Sequence, residues 1–237
     1  MYFIEQLGNW KFYLLGAYPV GDLGGLALNI IMAFYALTIS FFLSWILGYL
    51  RLSKNKFIRY PVGWYIDLVR SIPLLMLVFW FYFFLPYMFG EHITIINSAI
   101  ISLVIYGSSY QAEIVRAGIL AVPKGQVEAA SSLGFSKFQT MKYIVLPQAF
   151  KIMIPSFVSF FVSLFKDTSI AYIIGVVELV QSGVIVSQRQ PNRMYAAYLC
   201  VAIGFWVVSF SISQVATTLE KKLGKLEIEG IRFGKNR

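Results

Sequence analysis

Glu128 is followed by Ala129 and Ala130, and this acidic-small-small triplet suits contact with a partner better than catalysis. Gly134 follows after three intervening residues, and residues 144–147 (IVLP) follow after a further nine. Glu128 offers one negative charge to a basic partner, and the alanines let another surface approach the backbone closely. Gly134 can take the positive φ that ends a helix. The pattern therefore predicts a docking helix that ends in a sharp turn.

The segment that carries these residues, residues 121–147, lies between two apolar runs. Its break at residues 123–125 (PKG) predicts that a new element starts there. We expect residues 126–133 to form a short helix. The alternative interpretation is an ordinary pair of surface helices without a partner, because short motifs also match by chance.

Two adjacent charges, Lys166 and Asp167, interrupt an otherwise apolar run. If Lys151 marks the cytoplasmic boundary of the membrane, Lys166 lies about 22 Å further along a helix. That depth is well inside a hydrocarbon core about 30 Å thick. Charge at such depth is costly and usually faces a cavity or a partner. We therefore expect the pair either to line a substrate path or to form a structural ion pair between helices or subunits.

Two further pairs of charges stand three residues apart near the ends of apolar runs. Asp67 and Arg70 can pair on one face of a helix, and so can Glu113 and Arg116. For Arg70 the alternatives are a place on the substrate path and an arginine that extends to the membrane surface. For Glu113 and Arg116 a structural ion pair is favoured.

Sequence patterns for phosphate binding, metal binding and nucleophilic catalysis are absent from the chain. It contains no G-x4-G-K-[ST] loop, no H-E-x-x-H and no C-x-x-C. The single histidine, His92, is expected in a solvated turn, and the single cysteine, Cys200, is expected to pack as a small apolar side chain. We therefore expect no catalytic residue, no metal and no other cofactor in this chain.

The composition, with 58% hydrophobic and 13% charged residues, is typical of a membrane protein. Runs of about 20 uncharged residues are long enough to cross a bilayer as helices. The predicted fold is all-α, an integral membrane protein with five transmembrane helices, in which residues 1–237 form one domain. The second helix is expected to begin near Pro61 and to continue to about Gly90. The predicted crossings are based on residues 23–50, 71–90, 93–112, 151–174 and 194–219.

Basic residues, which give a net charge of +9, fill the first and third loops between these crossings and the C-terminal tail. This concentration argues against nucleic acid, which net charge alone would suggest. By the positive-inside rule the N-terminus lies outside and the C-terminus lies in the cytoplasm. Residues 1–8 lack the basic region of a cleavable signal peptide, and residues 2–20 are expected along the outer interface.

The segments that carry these residues resemble the membrane subunits of ABC importers over roughly residues 20–220. The pattern from Glu128 to Pro147 is similar in spacing and residue type to the EAA loop of that family. Further segments resemble the permeases for polar amino acids, and residues 70–82 (RSIPLLMLVFWFY) resemble the glutamate/aspartate subgroup. These further segments are residues 70–75 (RSIPLL), 112–119 (AEIVRAGI), 122–126 (VPKGQ), 146–149 (LPQA) and 166–169 (KDTS).

The resemblance implies the translocation subunit of an importer in the bacterial cytoplasmic (inner) membrane, with glutamate or aspartate as substrate and a cytoplasmic EAA coupling hairpin. It implies two ABC ATPase subunits that bind ATP and magnesium, a second permease subunit of the same or a similar chain, and an extracytoplasmic amino acid-binding protein. The residues that would couple to the ATPase are Glu128, Ala129, Ala130 and Gly134. The candidate substrate path comprises Arg70, Lys166, Asp167, Thr168 and Ser169.

Three alternatives remain at this point. The first is a permease for glutamine or another polar amino acid instead of glutamate or aspartate. An ion-coupled secondary transporter is a second alternative, although we see no internal repeat of the kind that such transporters contain. A channel or scaffold protein is the third, although the sequence has no pore or partner signature.

Overall fold

A computed structural model describes residues 10–18, 21–90 and 93–235, with the backbone alone described at residue 216 and residues 219–235. The described residues are almost entirely helical, which confirms the predicted all-α class. The interfacial segment predicted over residues 2–20 is described only in part, and His92 lies outside the described residues. The helices are α1 (Trp10–Leu15), α2 (Gly25–Arg51), α3 (Lys56–Ser71), α4 (Leu74–Phe89), α5 (Ile95–Ala121), α6 (Lys124–Ser132), α7 (Lys137–Gln139), α8 (Leu146–Asp167), α9 (Leu179–Arg189) and α10 (Met194–Lys235).

Helices long and apolar enough to cross a membrane account for most of the predicted crossings. Three such segments are Gly25–Arg51, Lys137–Ile174 and Pro191–Val215, and α3 with α4 forms a fourth candidate if the bent pair is one crossing. α5 is 27 residues long, about 40 Å. It is less apolar because asparagine, serine and glutamine lie along it, most of them buried against its neighbours. The count of five crossings therefore stays a prediction.

The second predicted helix is broken rather than continuous. α3 begins at Lys56, capped by the Asn55 side chain, and ends at Ser71; the axis of α4 is turned from it by 104°. Pro73 disfavours helical backbone at the residue before it, and Ile72 has an extended ψ of 130°. The prediction of one helix from near Pro61 to Gly90 is therefore wrong, because the proline at position 73 ends it.

α5 is the central helix and packs on α2, α3, α4 and α8. Its small residues allow close approach: Gly107 lies against Ser40, and Ala112 is fully buried. A Cβ added at Gly48 would lie 2.8 Å from the Ala112 carbonyl oxygen. Small residues on α5 thus allow tight helix packing.

The predicted crossing over residues 151–174 lies in a longer helical run that includes α8, starts earlier than predicted and ends where predicted. A π-helical turn, Thr140–Val145, leads directly into α8, and a 3₁₀ helix, Thr168–Ile174, continues it. Pro147 is the second residue of α8 and lies directly after the π-helical turn. Gly175, with φ of 92°, ends the run.

Candidate functional site

Two capping motifs shape the segment that the sequence predicts as a docking site. α6 ends in a Schellman motif, in which the Phe135 amide donates to the Ala130 carbonyl at 3.1 Å. The Gly134 amide donates to the Ser131 carbonyl at 3.0 Å. Gly134 has φ of 82°, in the left-handed region that favours glycine. A capping box at Ser136 then starts α7, so local hydrogen bonds define a sharp turn between two short helices.

The surface of this segment is largely exposed and partly apolar. Glu128 and Ala129 are exposed, whereas Ala130 is 4% exposed and packs toward the chain's own π-helical turn. Leu133 and Phe138 are 77% and 74% exposed. Sequence reasoning missed these two side chains, although large apolar residues beside a docking motif are a usable signal for a protein contact.

Four charged side chains meet at the end of the bundle where α2 reaches Arg51, called the basic end below. Arg51 Nη2 donates to both oxygens of Asp67 at 3.0 and 3.1 Å, and its Nη1 lies 3.0 Å from Glu113 Oε1. Arg116 donates from Nε and Nη2 to Glu113 at 2.9 to 3.0 Å, which confirms the predicted pair. The predicted pairing of Asp67 with Arg70 is wrong, because Asp67 binds Arg51 instead.

Arg70 lines a cavity of about 440 Å³ between α5 and α8, with Tyr110, Glu113 and Ser156 also in its wall. The Arg70 guanidinium carbon lies 5.1 Å from the centroid of the Tyr110 ring. Tyr110 Oη donates to the Arg70 carbonyl oxygen at 3.4 Å. Among the described residues no carboxylate forms an ion pair with Arg70. An aromatic face therefore supplies its nearest electrostatic partner.

Aromatic side chains connect this cavity to Asp167. The rings of Tyr106 and Tyr110, one turn apart on α5, have centroids 4.5 Å apart. Phe160 of α8 stacks on Tyr110 at 6.0 Å. Asp167 lies within electrostatic range of Tyr106. Arg70 and Asp167, two of the predicted path residues, therefore flank one aromatic surface.

The remaining predicted path residues fall into two environments. Lys166 is exposed, and Asp167 and Ser169 are half-buried. Neither Lys166 nor Asp167 forms an ion pair with another described residue, so a structural pair within the described part of this chain does not account for them. Thr168 is fully buried, and its hydroxyl donates to the Phe165 carbonyl at 2.7 Å.

A buried polar network lies at the other end of the bundle, called the opposite end below, where α2 begins. Asn29 Nδ2 donates to Glu178 Oε2 at 2.8 Å and to Thr168 Oγ1 at 2.9 Å, and Asn29 Oδ1 accepts from the Leu179 amide at 2.9 Å. Glu178 Oε1 accepts from the Gln181 amide at 2.9 Å and so caps α9. Asn29, Thr168 and Glu178 are each 0% exposed. Burial raises the pKa of the Glu178 carboxyl above its usual value.

Sequence reasoning missed this network. The available signal was Asn29, an amide inside an apolar run, since such side chains in membrane helices usually bind another helix. Its partner Glu178 lies 149 residues away, and nothing local identifies it.

An all-helical bundle with segments long and apolar enough to cross a membrane, and with a charged cavity between its helices, suits a membrane permease. The comparisons agree. A family model described as "binding-protein-dependent transport system inner membrane component" matches residues 40–225, and the chain belongs to this family.

Relatives make the class more specific. The chain is 35% identical over 212 residues to the probable glutamine ABC transporter permease protein GlnP of Bacillus subtilis (strain 168), a match that covers 87% of this chain and 97% of that one. It is 33% identical over 205 residues to the glutamate/glutamine/aspartate/asparagine transport system permease protein BztC of Rhodobacter capsulatus, covering 84% of this chain and 47% of that one.

A solved structure shows the same fold. It is described as an amino acid ABC transporter with histidines and aligns with a TM-score of 0.82 at 27% identity, covering 93% of this chain and 98% of that one. The chain is thus an amino acid ABC transporter permease. This class leaves no place for the secondary transporter, channel or scaffold alternatives.

Proposed function

We propose that the chain is the translocation subunit of an ATP-driven importer for glutamate and aspartate. The observation that carries the proposal is the Arg70 guanidinium, which lines the cavity without a carboxylate partner among the described residues. A cation that no protein carboxylate neutralises is available for charge-assisted hydrogen bonds to a substrate carboxylate.

The other charges around the cavity support the same preference. Glu113 also lines it, but Arg51 and Arg116 both bind the Glu113 carboxylate, so little negative charge remains for a cationic substrate. A basic amino acid would bring a second cation next to Arg70, and like charges repel. The cavity therefore favours an anionic side chain over a cationic one.

Five membrane crossings contribute to the proposed path: the three apolar spans, α4 and α5. A second permease subunit completes the enclosure, since five helices hardly surround a gated path. Two ABC ATPase subunits in the cytoplasm bind ATP and magnesium, and an extracytoplasmic binding protein delivers the substrate. As the ATPases close, α6 transmits the motion to the bundle, and access to the cavity alternates. The proposed coupling residues are Glu128, Ala129, Ala130 and Gly134.

Beyond the cavity, the proposed path continues along the aromatic surface of α5 toward Asp167. Lys166 and Ser169 are placed to contribute from the same end of α8. Thr168 has a positioning role in this proposal. Its buried hydroxyl does not face the path, and it anchors the end of α8 to Asn29.

The proposed orientation places the basic end in the cytoplasm. In a Cys200→Ala background, a cysteine introduced at Lys54 should react with an impermeant maleimide in inside-out vesicles and stay unreactive in intact cells. Labelling of Lys54→Cys from outside intact cells would contradict the orientation.

Glutamine is the second candidate substrate, and the name of the Bacillus subtilis relative favours it. The hydroxyls of Tyr110 and Ser156 in the cavity wall serve an amide as well as a carboxylate. The charge on Arg70 separates the two substrates, since a hydrogen bond to a charged group contributes about 1.5–3 kcal/mol, against about 1 kcal/mol for a neutral one.

Uptake by proteoliposomes that contain the complete importer tests the assignment, with glutamate, aspartate, glutamine or arginine supplied on the binding protein. We expect glutamate and aspartate to be taken up fastest. Arg70→Gln should lower glutamate uptake about tenfold or more and affect glutamine uptake much less. Lys56→Gln, at an exposed basic position at the start of the same helix, is the matched control. An equal loss for both substrates, or selective uptake of arginine, would contradict the acidic assignment.

A further inference from the structure

A second cleft at the basic end collects arginines outside the substrate cavity. It has a volume of about 800 Å³, and three guanidinium groups, those of Arg51, Arg59 and Arg116, line it against the single carboxylate of Asp67. Guanidinium groups present several N–H donors in a planar array that matches the oxygens of a phosphate.

The protein's own carboxylates do not balance these charges. Arg51 and Arg116 share the two carboxylates of Asp67 and Glu113. Arg59 forms no ion pair among the described residues, and its guanidinium carbon lies 5.1 Å from the centroid of the Tyr60 ring. The cleft therefore keeps an excess of positive charge and of hydrogen-bond donors.

The helix that borders the cleft has the geometry of an interfacial helix. α3 is turned by 104° from α4, so where α4 crosses the membrane, α3 runs nearly along its plane. Its exposed side carries Phe57, Tyr60, Trp64 and Leu68, spaced three to four residues apart on one face. Phe57 is 91% exposed and Trp64 is 69% exposed. Tyrosine and tryptophan favour the level of the lipid head groups, and an apolar stripe beside basic residues is typical of helices that lie in the interface.

We propose that this cleft binds the phosphate head group of an anionic phospholipid from the cytoplasmic leaflet, with the acyl chains along the stripe of α3. The charge of the cleft complements the phosphate, and Trp64 and Tyr60 belong both to the cleft wall and to the stripe. A soluble phosphate would have no use for the stripe. This proposal rests on the membrane orientation given under the proposed function, but it does not depend on which amino acid is transported. A failed substrate assignment therefore leaves it standing.

Tryptophan quenching in nanodiscs that contain the complete importer tests the site. Phosphatidylcholine discs receive increasing amounts of brominated phosphatidylglycerol or brominated phosphatidylcholine, and subtracting the signal of a Trp64→Phe variant isolates Trp64. We expect phosphatidylglycerol to quench Trp64 at a mole fraction about fivefold lower than phosphatidylcholine does. Arg59→Gln should abolish this preference, Arg59→Lys should retain part of it, and Lys124→Gln, an exposed basic position on α6, should leave it unchanged.

Three results would overturn the proposal. Equal quenching by the two lipids would show that the cleft does not select an anionic head group. A preference that Lys124→Gln weakens as much as Arg59→Gln does would reveal general attraction of a basic protein to a charged surface. Relief of the quenching by inorganic phosphate alone would assign the cleft to a soluble anion. An unchanged thermal melt of Arg59→Gln in detergent excludes misfolding as the cause of its loss.

Discussion

The two ends of the bundle hold polar networks of different character. At the basic end, Arg51, Asp67, Glu113 and Arg116 form ion pairs that keep between 18% and 60% of their side-chain surface exposed. At the opposite end, the Glu178 carboxylate is completely buried and accepts hydrogen bonds from the Asn29 side-chain amide and the Gln181 backbone amide. An exposed ion pair such as that of Asp67 contributes about 0–1 kcal/mol, whereas removing the partner of a buried charge costs about 3–5 kcal/mol.

This difference matches what each end does in the proposed mechanism. The docking helix α6 follows directly from α5 at the basic end, where water can replace the contacts that hold the helices together. At the opposite end, Asn29 joins α2 to the end of α8 and to the start of α9 through bonds that water does not reach. In the proposed mechanism, the helices are thus held firmly at one end while their other ends respond to the ATPase.

The largest loss of stability is expected when Asn29, the central residue of the buried network, is replaced. Asn29→Leu removes the donors to Glu178 and Thr168 and the acceptor for the Leu179 amide. We expect a loss of about 3–5 kcal/mol in stability, because a buried carboxylate is left without its amide partner. Thermal melts of the detergent-purified importer measure it, and Asn97→Leu, at an exposed position on α5, is the control. If Asn29→Leu melted at the same temperature as wild type, the buried network would be no stronger than the ion pairs at the basic end.

The protonation of Glu178 sharpens the same contrast. Because burial raises the pKa of this carboxyl above 4.5, the unfolded chain loses its proton first as the pH rises. The folded chain then binds the extra proton, so stability falls as the pH rises above 4.5 until the folded carboxyl also ionises. Glu178→Gln removes this contribution and costs about 1 kcal/mol through the weakened cap of α9. Melts at increasing pH should show the variant losing less stability than wild type; parallel curves would contradict a buried carboxyl.

A smaller and local effect is expected at the turn after α6. Gly134→Ala places a side chain at φ of 82° with no neighbouring atom within 4 Å, so the strain is confined to the backbone and costs about 1–2 kcal/mol. Gly125→Ala, inside α6 and also without a neighbour within 4 Å, has no such strain and serves as the control. We expect Gly134→Ala to lower ATP-driven uptake while the melt of the assembled importer changes little. Equal uptake by the two variants would mean that the turn does not contribute to coupling.

The smallest effect is expected for the ion pairs at the basic end. Asp67→Asn removes one of the two carboxylates that bind Arg51, and Glu113 remains to balance it. The change in stability should stay within about 1 kcal/mol and should shrink further as salt is added. A loss as large as that of Asn29→Leu would show that the two networks are equally rigid.

The sequence predicts the helices well and the contacts between them poorly. Apolar runs locate α2, α8 and α10 because crossing a bilayer restricts composition over a long stretch. The break at Pro73 could also have been predicted, since proline disfavours helical backbone at the residue before it. The apolar run that continues into α4 favoured one continuous helix instead. Contacts between helices are harder to predict. Asp67 has Arg70 within one helical turn, yet it binds Arg51, 16 residues away, because the short connection between α2 and α3 brings those side chains together.

At the docking segment, prediction succeeded because the determinants are local. The positive φ at Gly134 and the short helix before it follow from neighbouring residues, and the structure has both. The network around Asn29 depends instead on residues from three helices, which only the folded chain brings together.

Access to the cavity during ATP turnover tests the central claim most directly. Ala117 lines the cavity and is exposed in it, so Ala117→Cys in a Cys200→Ala background reports on the basic end. In inside-out vesicles that hold the complete importer, an impermeant maleimide should label this cysteine readily without nucleotide and much more slowly when ATP and vanadate trap the ATPases closed. Gly134→Ala should weaken that protection, and Gly125→Ala should retain it. Labelling at the same rate with and without trapped nucleotide, in an importer that hydrolyses ATP, would contradict the claim that motion of the ATPases at α6 opens and closes the basic end.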